Sequence, residues 1–214
     1  MSQSLAELRH EYALGALRKA DVDPDPIEQF KRWLKQAVDA QLPEPNAMTL
    51  ATADRTGRPY ARVVLLKECD ADGFVFFTNY QSDKGRQLIE SPHAALVFLW
   101  LELERQVRIE GTVAKIPSAE SEAYFCTRPR ESRLGALASR QSQVVLNREI
   151  LDNRFQQLTG KYLDDNIPMP NHWGGYRVRP EMLEFWQGRH GRMHDRLCYR
   201  LQRGGDWLLE RLEP

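Results

Sequence analysis

Cysteine is scarce in this 214-residue chain: Cys69, Cys126 and Cys198 stand far apart, odd in number and with no C-x-x-C pair. That excludes a disulfide framework and a structural zinc site, and fits a reducing compartment. Long hydrophobic runs are missing too. No stretch approaches the roughly 18 apolar residues of a membrane span. The opening "MSQSLAELRHEYALGALRKA" has no continuous apolar core of the kind that marks a secretory leader. A cytoplasmic protein is expected. Neither sign of charge is in excess, since 30 Lys+Arg balance 30 Asp+Glu. The global basic field of a nucleic-acid binder is therefore absent, and an anion site must be built locally. Signature loops are missing as well: no Gly-rich phosphate loop, dinucleotide fingerprint, H-E-x-x-H or G-x-S-x-G. A nucleotide-like cofactor would have to be held by side chains.

What is present reads as alternating blocks. Residues 1–25 form a weakly helical arm and a turn-rich hinge, "DVDPDP", whose prolines cannot continue a helix. A helix follows, with Asp25 as cap, Pro26 at its first position, and Ile27, Phe30, Leu34, Ala37 and Val38 at helical intervals. From Ala47 the chain turns to short β-rich runs: "AMTLATA", "YARVVLLKE", "GFVFFTN", "AALVFLWL" and "RQVRIEGTVAKI". A short helix, "SDKGRQLIE", interrupts them. Three helical patterns come after Ser118, and the last 40 or so residues return to strands. The fold class expected is α+β, mainly β: an antiparallel barrel with surrounding helices, one domain over residues 26–214.

Ionisable groups concentrate in "FWQGRHGRMHDR", residues 185–196. If 192–200 is a strand, Arg192, His194 and Arg196 share one face beside the flat wall of Trp186. Such a row is either a solvated edge or the lining of an anion site. Arg62 and Lys67 bracket an apolar run, and their long stems can lie along apolar surface while the heads meet an anion. Five residues apart, they face opposite ways on an unbroken strand, unless a bulge intervenes. In "YFCTRPRES", Tyr124 and Arg128 are i and i+4 on a helix entering a turn, and Ser132 follows. A phenol, a guanidinium and a hydroxyl can together surround one phosphate. Gln106, Gln141 and Ser142 are polar where a core strand prefers apolar groups, and an amide matches a heterocycle edge that alternates donors and acceptors.

In order and spacing these blocks resemble the pyridoxamine (pyridoxine) 5′-phosphate oxidases, FMN enzymes of the split-barrel class. "RHEY", "RVVLLK", "FFTNYQSDK", "ERQVRIEG", "YFCTRPRES", "ASRQS", "HWGGYRV" and "EFWQGRHGRMHDR" carry the resemblance over nearly the whole chain. It implies FMN-dependent oxidation of pyridoxamine or pyridoxine 5′-phosphate to pyridoxal 5′-phosphate. Dioxygen is the acceptor, hydrogen peroxide a product, and ammonia leaves from the amine. It also implies a homodimer with FMN at the subunit interface.

Carried over by position, the resemblance assigns Arg62 and Lys84 to the FMN phosphate. Val63, Val64, Leu65, Leu66, Lys67, Phe77, Thr78 and Asp83 would lie along the cofactor. Gln106, Gln141, Ser142, Trp186 and Arg196 would complete the flavin site, some from the second subunit. Lys67, Tyr124, Arg128 and Ser132 match the holders of the substrate phosphate. Arg192 and His194 match the catalytic contacts to the pyridine ring, and Arg9 and Tyr12 match an arm that covers the site. The chain departs from the family pattern at Asp83, commonly Arg, where Arg86 is the cation available to compensate. It departs again at Leu137, commonly Trp, and at Met193, commonly Leu.

Overall fold

The structure, a computed structural model, describes residues 4–8 and 11–214. Arg9, assigned above to the arm, lies outside the described residues. Helix α1 (Pro26–Asp39) begins as its sequence demands: the Asp25 carboxylate accepts from the Ile27 N–H at 2.8 Å, and Pro26 opens the first turn. Its buried stripe is Ile27, Phe30, Trp33 and Ala37. Leu34 is only half-buried and Val38 is exposed, against expectation. The indole of Trp33 removes more apolar area from water than leucine would, and it packs edge-on to Phe185, 5.2 Å between ring centres.

The five β-rich runs become β1 (Ala47–Ala53), β2 (Pro59–Leu65), β3 (Glu68–Asp70), β4 (Gly73–Asn79), β5 (His93–Trp100) and β6 (Arg105–Lys115). The run "YARVVLLKE" makes two strands, because Leu66 and Lys67 leave the ladder between β2 and β3. Leu66 is buried there and Lys67 exposed. Helix α2 (Asp83–Glu90) separates β4 from β5. After β6 come α3 (Ser118–Thr127), α4 (Arg130–Ala138) and α5 (Arg148–Lys161), then β7 (Trp173–Gln187), β8 (Asp195–Leu201) and β9 (Trp207–Leu212). The strands form one sheet in the order β2-β1-β5-β6-β7-β4-β3, with β8 joined to β7 and β9 to β8. The fifteen-residue β7 pairs antiparallel with β4 through its first half and with β8 through its second.

The expected strand over 192–200 is corrected at its start. Residues His190–Arg192 form a 3-10 turn, Arg192 has a left-handed φ of 61°, and β8 begins only at Asp195. Alternation along a strand therefore does not put Arg192 and His194 on the face of Arg196.

Contacts within the chain divide it into two compact units. The first holds the described residues up to Leu50, Ala95–Gly111 and Pro180–Pro214. Its core includes Phe30, 4.9 Å from Phe98 and 6.3 Å from Trp100 between ring centres. The segment before α1 is bonded into this unit. Glu104, buried with a left-handed φ of 53°, accepts from the Ala13 and Leu14 N–H groups at 2.8 and 2.9 Å. Asp195 accepts from the Leu17 N–H at 3.0 Å, and the Tyr199 hydroxyl donates to the Asp23 carbonyl at 2.6 Å.

The second unit holds Ala51–Ala94 and Thr112–Arg179. Phe125, Leu134, Ile167 and Trp173 form a buried cluster there, with Leu137 packed against it. Ser82 caps α2, accepting from the Gly85 N–H. A Cβ on Gly85 would stand 2.2 Å from the Tyr80 carbonyl oxygen, so only glycine lets the first turn of α2 sit this close. Among the described residues no helix is long and apolar enough to cross a membrane.

Candidate active site

The second unit encloses a cavity of about 660 Å³, within the size range of small-molecule and cofactor sites. Arg62, Val63, Val64 and Leu65 reach it from β2, and Lys67 from the break after that strand. Because the ladder is interrupted, Arg62 and Lys67 line one cavity although they are five residues apart. Phe77 and Thr78 come from β4, Lys84 from α2, Tyr124 from α3 and Ser132 from α4. Arg128, the residue after α3, and Gln141 complete the set. Leu66 turns the other way, into the core.

Two cations of this cavity, Lys84 and Arg62, are dehydrated. Burial lowers the pKa of Lys84 below its usual 10.5, the charge on Arg62 adds to that, and Asp83 partly opposes it. Hydrogen-bond partners of the Lys84 ammonium are neutral: Ser82 Oγ at 3.5 Å and Gln141 Oε1 at 3.2 Å. Arg62 is also lowered by burial, with Asp83 opposing. Its guanidinium donates to Thr52 Oγ1 and, at 3.0 Å, to Gln87 Oε1, which accepts in turn from Thr52 at 2.7 Å. Thr52 and Gln87 are both buried, so they set where Arg62 points. Two desolvated cations that repel each other are relieved by an anion placed between them. Asp83 does not fill that place: its carboxylate pairs with Arg86, and both side chains are more than half exposed. The extra anion of this chain is thus neutralised by the cation expected to compensate for it.

A second cationic point lies at Arg128. Burial lowers its pKa, with Tyr124 opposing. Its Nη1 is sealed from solvent with no hydrogen-bond acceptor among the described residues, a costly state for a charged donor. The guanidinium carbon sits 4.7 Å from the centre of the Trp173 ring. Trp173, Phe77 and Tyr124 stack nearly parallel: Phe77 is 3.9 Å from Tyr124 and 5.3 Å from Trp173 between centres. The Phe77 ring is thereby committed to its neighbours.

Tyr12, Arg192 and His194 line a different recess, of about 470 Å³, within the first unit. Tyr12 rests on Gly188, where a Cβ would come within 2.7 Å of it, and its ring lies 5.5 Å from both Trp186 and His194. Trp186 and His194 are 4.7 Å apart. His194 Nδ1 accepts from the Arg189 N–H at 3.1 Å, so a neutral imidazole carries its proton on Nε2. Arg196 is engaged differently. It donates to both oxygens of buried Glu184 at 2.7 and 3.1 Å and to the Glu213 carbonyl at 2.9 Å. Arg108 meets the same carboxylate at 3.0 Å. Hydrogen bonding to Glu184 raises the Arg196 pKa. Gln106 lies half-buried in β6 and lines neither cavity. Ser142, with a left-handed φ of 70°, accepts from the Asp83 N–H at 3.2 Å and lines a smaller recess beside Gln141.

Sequence reasoning gave no role to Thr52, Gln87 or Trp173. A threonine inside "AMTLATA" and a glutamine inside α2 look like ordinary strand and surface residues until their burial is seen. Trp173 did carry a signal, an aromatic directly before Gly174 and Gly175 in "HWGGYRV".

Sheet order and cavity together define the class: an α+β split-barrel protein with a cation-lined pocket. Residues 34–162 match the family described as pyridoxamine 5′-phosphate oxidase, and residues 173–214 match a pyridoxine 5′-phosphate oxidase C-terminal dimerisation region. The chain is 57% identical to a pyridoxine/pyridoxamine 5′-phosphate oxidase of Gloeothece citriformis, over all of both chains. It is 58% identical to one of Paraburkholderia phymatum, over 99% of each. Among solved structures, PhzG of Burkholderia lata, in complex with tetrahydrophenazine-1-carboxylic acid, superposes with a TM-score of 0.88 at 32% identity, over 94% of this chain and 99% of that one. A protein of Nostoc punctiforme described as a pyridoxamine 5′-phosphate oxidase-related, FMN-binding protein, 17% identical, shares the fold with a TM-score of 0.75 over 90% of this chain and all of its own. This chain belongs to the pyridoxamine 5′-phosphate oxidase family.

Proposed function

We propose that the protein oxidises pyridoxamine 5′-phosphate or pyridoxine 5′-phosphate to pyridoxal 5′-phosphate, using FMN and dioxygen and releasing hydrogen peroxide, with ammonia from the amine. The observation that carries the reading is the cavity of the second unit, where Lys84 and Arg128 are dehydrated with no carboxylate bonded to either among the described residues. That is the electrostatic demand of phosphate ligands, and family membership supplies the chemistry.

Arg62 and Lys84 would hold the FMN phosphate, Arg62 oriented by Thr52 and Gln87. Backbone of residues 63–66, with Phe77, Thr78 and Gln141, would lie along the cofactor, and Gln106, Ser142, Trp186 and Arg196 would complete its site. Three of the five guanidinium N–H groups of Arg196 are engaged, which leaves two for a ligand. When bound, FMN supplies the two-electron acceptor that dioxygen regenerates. Lys67, Tyr124, Arg128 and Ser132 would grip the substrate phosphate, a remote anchor that fixes the reacting carbon. Arg192 would cover the pyridine ring, and His194, its Nδ1 occupied, would present Nε2–H to the substrate. Tyr12, and Arg9 with it, would close over the ring. The matched dimerisation region supports a homodimer in which the site is shared.

The test is spectral. Purified protein is expected to be yellow, to bleach anaerobically on adding pyridoxine 5′-phosphate, and to release peroxide once air is admitted. A colourless protein that FMN cannot reconstitute overturns the reading. A yellow protein that never bleaches leaves a flavin binder without the oxidase activity.

A further inference from the structure

We propose that Trp173 is a positioning residue for the substrate phosphate: its indole holds the Arg128 guanidinium in the orientation that the phosphate meets. The proposal rests on the reading of Arg128 as a phosphate ligand. Arg128 follows the last turn of α3, and among the described residues no carboxylate or carbonyl fixes its Nη1. A long side chain with an unsatisfied, dehydrated charge swings toward water unless something else stabilises it. Here that partner is an aromatic ring, 4.7 Å from the guanidinium carbon and within the range of a cation–π contact. The Phe125 ring, at 5.7 Å, is a weaker second contact.

Trp173 is itself rigid. It is 7% exposed, its backbone N–H donates to the Pro170 carbonyl at 2.9 Å, and it pairs with Asn79 across the β4–β7 ladder. Through Phe77 the same indole is stacked in line with Tyr124, a second member of the phosphate grip. One buried side chain therefore braces two of the four residues assigned to the anion. The indole lies against the guanidinium, and Arg128 lines the cavity.

A double-mutant cycle in the holoenzyme tests this. Trp173→Leu removes the flat ring, Trp173→Phe keeps one, and each is made with Arg128 intact and in an Arg128→Ala background. Trp173→Leu is expected to raise KM for pyridoxine 5′-phosphate about fivefold to tenfold, between the sizes of an exposed and a fully desolvated cation–π contact. It is expected to leave kcat and FMN affinity near wild type, and Trp173→Phe is expected to recover most of the loss. With Arg128→Ala the Trp173 substitutions are expected to add nothing further to KM. Equal KM increments in both backgrounds overturn the proposal, as does a fall in kcat or FMN affinity with KM unchanged. If Trp173→Leu does not fold, Trp173→Phe carries the cycle, with a KM rise of about twofold that vanishes beside Arg128→Ala. An Arg128→Ala enzyme with wild-type KM would sink the assignment of Arg128 itself, an outcome read independently of the Trp173 variants.

Discussion

Two groups of cations, one in each unit, are partnered in opposite ways. In the first, Arg196 and Arg108 share the buried carboxylate of Glu184, and Arg211 and Arg189 approach Asp195 at 2.6 and 3.7 Å. In the second, among the described residues Lys84 bonds only neutral oxygens, and Arg128 leans on an aromatic ring. Composition does not distinguish these groups, since all are basic residues in mixed polar segments. Partnering does. A buried carboxylate such as Glu184 ties its arginines into the fold, even where Arg196 keeps two N–H groups for a ligand. A dehydrated cation that lines a cavity with no carboxylate partner among the described residues instead leaves a demand for an anion.

The sharpest way to test the structural half of that contrast is Glu184→Ala. It leaves two arginines facing a 4%-exposed site with no counter-charge. Because both guanidiniums are partly exposed and can rehydrate, the loss is expected near the low end for a broken buried pair, about 3 kcal/mol. Denaturant unfolding measures it, and a loss under about 1 kcal/mol would put Glu184 among ordinary surface pairs. Arg192 tests the contrast from the other side. It is exposed in the first unit, with no carboxylate partner among the described residues. Arg192→Ala is expected to retain FMN and lose about 100-fold in kcat/KM, roughly 2.7 kcal/mol of transition-state stabilisation. Unchanged kcat/KM removes it from the mechanism.

Much of this was legible in the sequence, for reasons that differ by residue. Asp25-Pro26 and the apolar strands are local signals, and α1 and the β-runs begin close to where those signals fall. The cavity residues were legible through block order, and twelve of the assigned residues do line one space, Arg62 and Lys67 among them. Three things were not. The break at Leu66–Lys67 is set by the pairing of Lys67 N–H with the Val75 carbonyl, a tertiary contact. The left-handed Gly191 and Arg192 interrupt what looks like a strand because His190 starts a 3-10 turn. Burial of Thr52 and Gln87, and hence their hold on Arg62, depends on elements far apart in the chain.

Lys84→Ala is expected to weaken FMN binding about 30-fold, roughly 2 kcal/mol for one charge-assisted contact to a phosphate. Wild-type affinity in a cofactor titration would remove Lys84 from the phosphate site. The pH dependence sharpens this. Since burial holds the Lys84 pKa below 10.5 in the ligand-free protein, the ammonium is lost earlier on the alkaline side than for an ordinary lysine. FMN affinity is expected to fall as pH rises through that lowered value, and Lys84→Arg, which stays charged, is expected to flatten the profile.

Asp195 gives the smallest effect and the clearest sign. Burial works to raise its pKa, but the Leu17 N–H and the Arg211 guanidinium outweigh it and hold the carboxyl below 3.8. A lowered folded-state pKa means the ionised form favours the native state. That stabilisation is complete above 3.8 and disappears as pH falls through the lower folded value. Asp195→Asn keeps an acceptor for the Leu17 N–H and loses the charge. With both arginines more than 40% exposed, the cost at neutral pH is expected to be about 1 kcal/mol. The stability gap between wild type and Asp195→Asn is expected to stay constant at neutral pH and to close once acid takes the solution well below 3.8. A gap that widens in acid would show that the carboxylate is not matched in the folded state, and the contrast between the two units would lose its anchor at this end of the chain.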